Sequence, residues 1–458
     1  MIKRLFLFIT VTVAVLSACT DNDSFSADRS AGLSFSLDTL RMDTMFSAVP
    51  STTYNFWVYN RSGDGLRISS VRLERGNQTG FRVNVDGTYL NPVATDLELR
   101  KDDSLRVFVE VTPVENYADK PQLVTDNLLF LLESGREEKF NLRTWAWDAE
   151  KLTDVVVDHD MTIESAKPVV IYGDSVRVRP GATLTVRNTT LYFHDGTGIA
   201  VEGSLVLENS VLRGDRLDHM FDYLPYDRVS GQWPGVKVYS GGSLTMNGSE
   251  LHSSYDGIVC EAGSTAALTA SIVHNTKGHG LFAEDATVSL DHCVLSNTQG
   301  DCLSLNGGTA MVDHCTLAQF YPFTAYRGAA LRFGHTEQKL VLTCSNTLVT
   351  GYEDDVLMGE PRGEETAEYT FQNCLLRTPE VTDDAEAFQD IVWEKKDDEA
   401  GGKKHFLLVD EENLKYDFTI VSTSPCYEKQ IGHAFKDPEE EEASNEEQDE
   451  KQEEKQEE

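Results

Sequence analysis

Lys277, His279, Asp301 and Arg327 carry the groups that proton-transfer chemistry on an acidic polysaccharide needs. Elimination next to a carboxylate requires a basic group to take the α proton and cations to hold the charge that develops. Lys277 and Arg327 fit those roles. Asp256 and Asp301 offer carboxylate oxygens of the kind that hold a calcium ion. The same stretch carries side-chain amides at Asn275, Asn297 and Gln299, and aromatic rings at Tyr223, Tyr226, Trp233, Tyr255, Tyr321 and Tyr326. Aromatic faces stack on sugar rings and amides read hydroxyls, so these residues together predict a glycan-binding strip. His292 and His314 each follow an aspartate, and two imidazoles beside two carboxylates suit a transition metal. The repeat copies aspartate and histidine together, however, so the pair reads as a polar ladder at a turn and no metal is expected. No Walker loop, dinucleotide fingerprint, nucleophile elbow or HExxH occurs, which argues against nucleotide and metalloprotease chemistry.

These residues lie in a region that repeats itself. Equivalent short β-branched runs begin at Val176, Ile199, Val236, Ile258, Leu281, Leu303 and Leu331, with spacings of 23, 37, 22, 23, 22 and 28 residues. A stride near 22, Gly turns and no helical periodicity predict a β-solenoid. Stacked about 4.8 Å apart, such coils pair every backbone group with the next coil and share a core. The two long coils carry insertions of roughly fifteen and six residues relative to the repeat, around Gly214–Trp233 and Phe320–Arg327. Both insertions fall at one turn, four coils apart, or about 19 Å at that spacing. They are expected to wall a polar strip formed by Tyr255, Asp256, Asn275, Lys277, His279, Asn297, Gln299 and Asp301.

Ahead of the repeat, short alternating strands such as Tyr54–Asn60, Leu66–Leu73, Phe81–Val85 and Ser104–Val111 are separated by Gly, Asn and Asp turns. This spacing predicts a β-sandwich. The net charge of the chain is −36. Such a surface repels phosphates, which excludes nucleic acid as a partner. Residues 437–458 contain 13 acidic residues and two lysines, and this tail is expected to be disordered. At the other end, Lys3 and Arg4 precede a twelve-residue apolar run from Leu5 to Leu16, the length of a secretion signal and too short to span a bilayer. Of eight cysteines, the seven beyond Cys19 show no CxxC spacing, so neither a zinc site nor a disulfide framework is expected.

Several stretches resemble known families. Leu16-Ser17-Ala18-Cys19 resembles the lipobox of bacterial lipoproteins, which implies acylation of Cys19 and attachment to outer-membrane lipid. Thr20-Asp21-Asn22-Asp23 resembles the signal that sends lipoproteins of Bacteroidetes-type bacteria to the cell surface. The sandwich pattern is similar to domains that precede β-helices in such proteins. Asn209-Ser-Val-Leu, Asp291-His-Cys-Val-Leu, Asp313-His-Cys-Thr-Leu and Asn373-Cys-Leu-Leu resemble the turn of pectate-lyase-like right-handed β-helices. That likeness runs from Val155 to Cys426, and Asp417–Cys426 looks like its closing coil. Gly278-His279-Gly280 and Gly300-Asp301-Cys302 are similar to polygalacturonase strings, although their order is reversed and the paired aspartate is single. The expected architecture is therefore all-β. A lipoprotein signal peptide (1–18) and a lipidated tether (19–33) lead into an immunoglobulin-like β-sandwich (34–150), without the disulfide of an antibody domain. A right-handed parallel β-helix (151–436) and the acidic tail (437–458) follow. The expected function is non-enzymatic binding of a glycan or a surface or matrix partner. The alternative is a polysaccharide lyase or glycoside hydrolase acting on acidic polysaccharide.

Overall fold

A computed structural model describes residues 24–118, 120–194, 196–217, 225, 228–394 and 401–436. Cys19, Tyr223, Tyr226 and the acidic tail lie outside the described residues. The chain divides into two compact units, 1–148 and 149–458.

In the first unit, alternate residues of each strand face inward, as in Tyr54–Asn60, where Tyr54, Phe56, Val58 and Asn60 are buried. Two five-stranded sheets result. They enclose Phe56, Phe130 and Phe140, with Phe56 and Phe140 stacked at 3.9 Å. The strand Thr39–Phe46 runs parallel to Glu137–Trp147 and completes the second sheet.

The second unit is a right-handed parallel β-helix. Each coil contributes three short strands, for example Val176–Val178, Thr183–Arg187 and Thr190–Phe193. The residues that open successive coils pair in an unbroken column: Val176 with Ile199, then Val236, Ile258, Leu281, Leu303, Leu331 and Leu357. All but the last of these column residues are buried. A fully buried aliphatic side chain contributes roughly 1.5–3 kcal/mol, while ordering backbone costs about 1–2 kcal/mol per residue. A single coil, open above and below, cannot meet that cost, and the stack is the folding unit.

The corner between the second and third strands explains the recurring Asn/Asp–Ser/Cys–Leu step. One residue adopts a left-handed backbone there: Asn188, Asn209, Gly248, Ala270, His292, His314, Asn346 and Asn373 have φ of 46–55°. Asn and Gly tolerate this conformation best. The next residue is a small hydrogen-bonding one. Its hydroxyl or thiol accepts from the amide of the preceding coil: Ser210 N to Ser249 Oγ 3.1 Å, Ser249 N to Ser271 Oγ 3.2 Å, Cys293 N to Cys315 Sγ 3.4 Å, Cys315 N to Thr347 Oγ1 3.2 Å. From Ser210 onward each also donates to the carbonyl two residues back, as Ser249 does to Asn247 and Cys315 to Asp313. This corner is buried, and these bonds satisfy its amides where water cannot. The seven described cysteines are all free and buried.

One expectation is corrected. The segment around Asp417–Cys426 is not a closing coil. Lys415–Ile420 pairs antiparallel with Phe406–Asp410, and the short helix Pro425–Lys429 follows. The hairpin lies against the outer face of the third-strand sheet, where Phe406, Phe418, Ile420, Cys426 and Ile431 pack on Val294, Ala318, Phe320, Leu348 and Leu375. A buried polar cluster fastens it. Glu394 takes bonds from Thr350 Oγ1 (2.8 Å) and His405 Nε2 (3.0 Å), with Arg377 Nη1 at 3.5 Å, and His405 Nδ1 lies 2.8 Å from Ser424 Oγ. Burial favours protonation of Glu394, but His405, Thr350 and Arg377 outweigh it and hold the carboxyl below its usual range.

Candidate functional site

Both insertions leave the solenoid after a third strand, at Val211–Gly214 and at Thr316–Gln319, so they occupy one turn as expected. They also meet, through a 2.7 Å bond between Ser230 Oγ and Tyr321 Oη. Arg228 Nη1 donates to the carbonyl of Asn413 in the C-terminal hairpin. The described parts of both insertions and the hairpin thus lie over the third-strand sheet.

Beneath them is a cleft of about 250 Å3 lined by Arg213, Arg228, His252, Ser253, His274, Asn275, Asn297, Pro322, Phe323, Leu414 and Tyr416. Its floor comes from strand register, because residues facing outward at one position recur coil after coil. His252 pairs with His274, which pairs with Ser296. The two imidazoles stack at 5.0 Å. His252 Nδ1 is 2.8 Å from Ser253 Oγ, and His274 Nε2 is 2.8 Å from Glu250 Oε1. Burial, with His274 and Arg213 nearby, holds His252 well below the ordinary imidazole range, so the ring is neutral. The His274 hydrogen bond keeps the Glu250 carboxyl below its usual range.

Asn275 and Asn297 follow at the next position, both with left-handed backbone (φ 54° and 52°). Asn275 Nδ2 donates to the Arg228 carbonyl (2.6 Å) and to Ser253 Oγ (3.1 Å), which ties the first insertion to the floor. Asn297 is 3% exposed, and its Oδ1 has no hydrogen-bond partner. Tyr416 Oη is likewise buried without a partner, and burial beside Glu411 and Asp410 pushes its phenol up. Both side chains line the cleft, and each buried unmade bond costs about 1–3 kcal/mol.

The residues expected to catalyse form a different cluster. Asp301 Oδ1 accepts from Ala329 N (2.7 Å) and Oδ2 from Arg332 Nε (2.8 Å), while its own amide donates to His279 Nδ1 (3.1 Å). Asp256 Oδ1 accepts from His279 N (2.9 Å). Both aspartates clamp the turn of the following coil. Arg327 is mostly buried, donating to the Tyr321 carbonyl (2.6 Å), lying 3.6 Å from Glu353, and covering the Tyr352 ring. Lys277 stands over Tyr255, with Nζ 5.9 Å from the ring centroid. His279 and Asp301 are brought together at 3.4 Å, but Lys277 and Arg327 are engaged elsewhere.

Several binding expectations change with burial. Trp233 is not an exposed wall. It is 1% exposed, stacks on Phe193 at 4.3 Å, and donates from Nε1 to the His252 carbonyl, so it extends the core. Tyr321 is 4% exposed and acts as the link between insertions. Tyr255 and Tyr326 are exposed, and Asp256 and Gln299 are partly buried, outside the cleft lining. Asn275 and Asn297 do line it. Sequence reasoning missed Arg213, His252, His274, Phe323 and Tyr416. The histidine pair left a signal, since His252 and His274 stand one stride apart.

The right handed beta helix region family matches residues 156–317. No curated protein matches the chain. Among solved structures, the chain is similar to a family 123 glycoside hydrolase from Clostridium perfringens, with 11% identity over 25% of this chain and 26% of that one, at a TM-score of 0.18. The chain therefore spans about a quarter of that enzyme's length. It is similar to the PapD-like domain 7 of human CEP192, with 11% identity, 27% and 90% coverage and a TM-score of 0.19. It is also similar to the catalytic unit of a GH87 α-1,3-glucanase from Streptomyces thermodiastaticus, with 10% identity, 74% and 89% coverage and a TM-score of 0.22.

Proposed function

We propose that this chain is a lipid-anchored protein of the outer-membrane surface whose β-helix binds a glycan, with one sugar ring entering the cleft beside Asn297. The observation that carries this reading is the pair of unpartnered atoms, Asn297 Oδ1 and Tyr416 Oη. A side-chain rotation that opens both atoms to the cleft lets Asn297 Oδ1 accept from a sugar hydroxyl and Tyr416 Oη bond another. The rings of Phe323 and Tyr416 supply apolar faces. A cleft of about 250 Å3 suits a single ring rather than a long chain. The cleft lining includes two arginines and no carboxylate, in a chain with 76 acidic residues. That contrast favours a sugar bearing an acidic group.

The test is calorimetric titration with galacturonate and glucuronate oligosaccharides and their neutral counterparts. Wild type binds the acidic set, and Asn297→Gly, which keeps the left-handed backbone, weakens binding at least tenfold. Absence of heat with every sugar removes the proposal. Anchoring is tested separately: Cys19→Ser releases the protein from membranes, and a variant that stays membrane-bound refutes the anchor.

A second reading, elimination on a uronate, is favoured by one observation: the stacked imidazoles of His252 and His274 share the cleft lining with Arg213. A neutral imidazole is the form that accepts a proton, and a guanidinium steadies the carboxylate. Unsaturated product ends appearing with wild type and vanishing in both His252→Ala and Asn297→Gly would establish it. Loss in Lys277→Ala alone would return the chemistry to the other cluster.

A further inference from the structure

His292 and His314 occupy the left-handed corner position on successive coils, with φ of 52° and 46°. The residues before them, Asp291 and Asp313, pair in register, so both imidazoles leave the solenoid in the same direction. The rings stack with centroids 4.8 Å apart and planes 5° apart. Asp291 Oδ1 is 2.8 Å from His292 Nδ1, and Asp313 Oδ2 is 3.2 Å from His314 Nδ1. Both carboxylates lie on the Nδ1 side of the rings, so a cation that takes an Asp291 oxygen meets the Nδ1 side of the imidazoles and displaces the proton held there. Asp313 is itself fixed by Ser345 Oγ (2.7 Å) and Asn346 Nδ2 (2.8 Å).

One donor atom each from Asp291, His292 and His314 lies within 4.8 Å of the others. Bonds of about 2.0–2.1 Å to a tetrahedral ion separate its ligand atoms by about 3.4 Å. Closure therefore takes roughly an ångström of side-chain motion by that geometry. The rings have room for it, with side-chain exposures of 49% and 29%. Two parallel rings cannot both aim an in-plane lone pair at one ion, so binding must open the stack. Two nitrogens and one oxygen suit borderline cations such as Zn2+, Ni2+ and Cu2+, whereas calcium takes six or more oxygens. A chain of net charge −36 also raises the local concentration of cations.

We propose that Asp291, His292 and His314 form a binding site for one divalent transition-metal ion at the corner of the β-helix. The site is independent of the glycan cleft. The test uses the full-length protein with Cu2+ or Zn2+ alone, and the variants His292→Asn and His314→Asn. Asparagine already stands at this corner in four coils (Asn188, Asn209, Asn346, Asn373), so both variants keep the backbone. The expected result is one tight equivalent, with Cu2+ spectra showing coupling to two nitrogens. Each single variant loses one nitrogen and weakens binding at least tenfold, and the double variant loses the site. Glycan binding is unchanged in all three. Tight binding that persists in the double variant, spectra without nitrogen coupling, or no tight equivalent in wild type would each overturn the proposal.

Discussion

At the turn that carries Asp301, both carboxylate oxygens are spoken for, by Ala329 N and Arg332 Nε, and the adjacent imidazole accepts a backbone amide. In the cleft beside Asn297, an amide oxygen and a phenol are buried and idle. Asp301 and Asn297 sit on the same coil, and both were expected to be functional from the sequence. The difference is whether their polar groups are consumed by the fold. A consumed group holds structure, and removing it costs stability. An idle group costs stability by being present, and removing it costs only what it binds.

The sharpest way to break this comparison is at Glu394, the most completely consumed group. Glu394→Gln leaves Arg377 and His405 without their buried anion, and the expected loss is about 3–5 kcal/mol, read as a fall in the urea midpoint. A change under about 1 kcal/mol would show that burial does not distinguish the classes.

Acid provides the next test. His433 bonds Thr316 Oγ1 and faces Asp417 and His292, and burial lowers its pKa to about 4. The unfolded chain takes up that proton near pH 6.5, while the native state resists until about pH 4. Stability therefore falls as pH drops through this window, by about 3 kcal/mol in total, and His433→Gln flattens the slope in unfolding curves collected between those pH values. His252 is shifted in the same direction, so some slope remains in the variant.

Asp301→Ala comes third. It strands the Ala329 amide, and a loss of about 1–3 kcal/mol is expected without change in sugar affinity, by parallel unfolding and titration. Smallest in stability are Asn297→Gly and Tyr416→Phe, each expected within about 1 kcal/mol of wild type while sugar affinity drops. If Tyr416→Phe were strongly destabilising, its hydroxyl would not be idle and the contrast would fail.

The stride was legible because each coil must place an aliphatic residue inward at one position, and Val176 through Leu331 keep that column unbroken. The shared turn of the insertions followed from counting. Asn275 and Asn297 were legible as a polar strip for the same reason. Trp233 was not, since an aromatic in a Gly-rich insertion gives no sign that it will stack on Phe193, forty residues away. The hairpin that brings Tyr416 to the cleft was misread because Lys415–Ile420 alternates like a coil strand, and only its antiparallel partner reveals its path. Asp301 showed its type but not its partners. Whether a carboxylate is free depends on amides supplied by the next coil, and these are invisible along one strand.

The corner bonds from Ser210 to Thr347 join only immediate neighbours, so no coil recognises its own ordinal position. The solenoid therefore behaves as a rack whose teeth are interchangeable, and its length is editable in steps of one tooth. Excising 281–302 would bring Ser271 against Cys315, a junction of the same kind as those already present. The two insertions would move one tooth closer, about 4.8 Å, and the bridge from Ser230 to Tyr321 would no longer fit. Such a shortened protein should fold yet fail to hold sugar, because Asn297 leaves with the excised tooth and the insertions no longer close over the sheet.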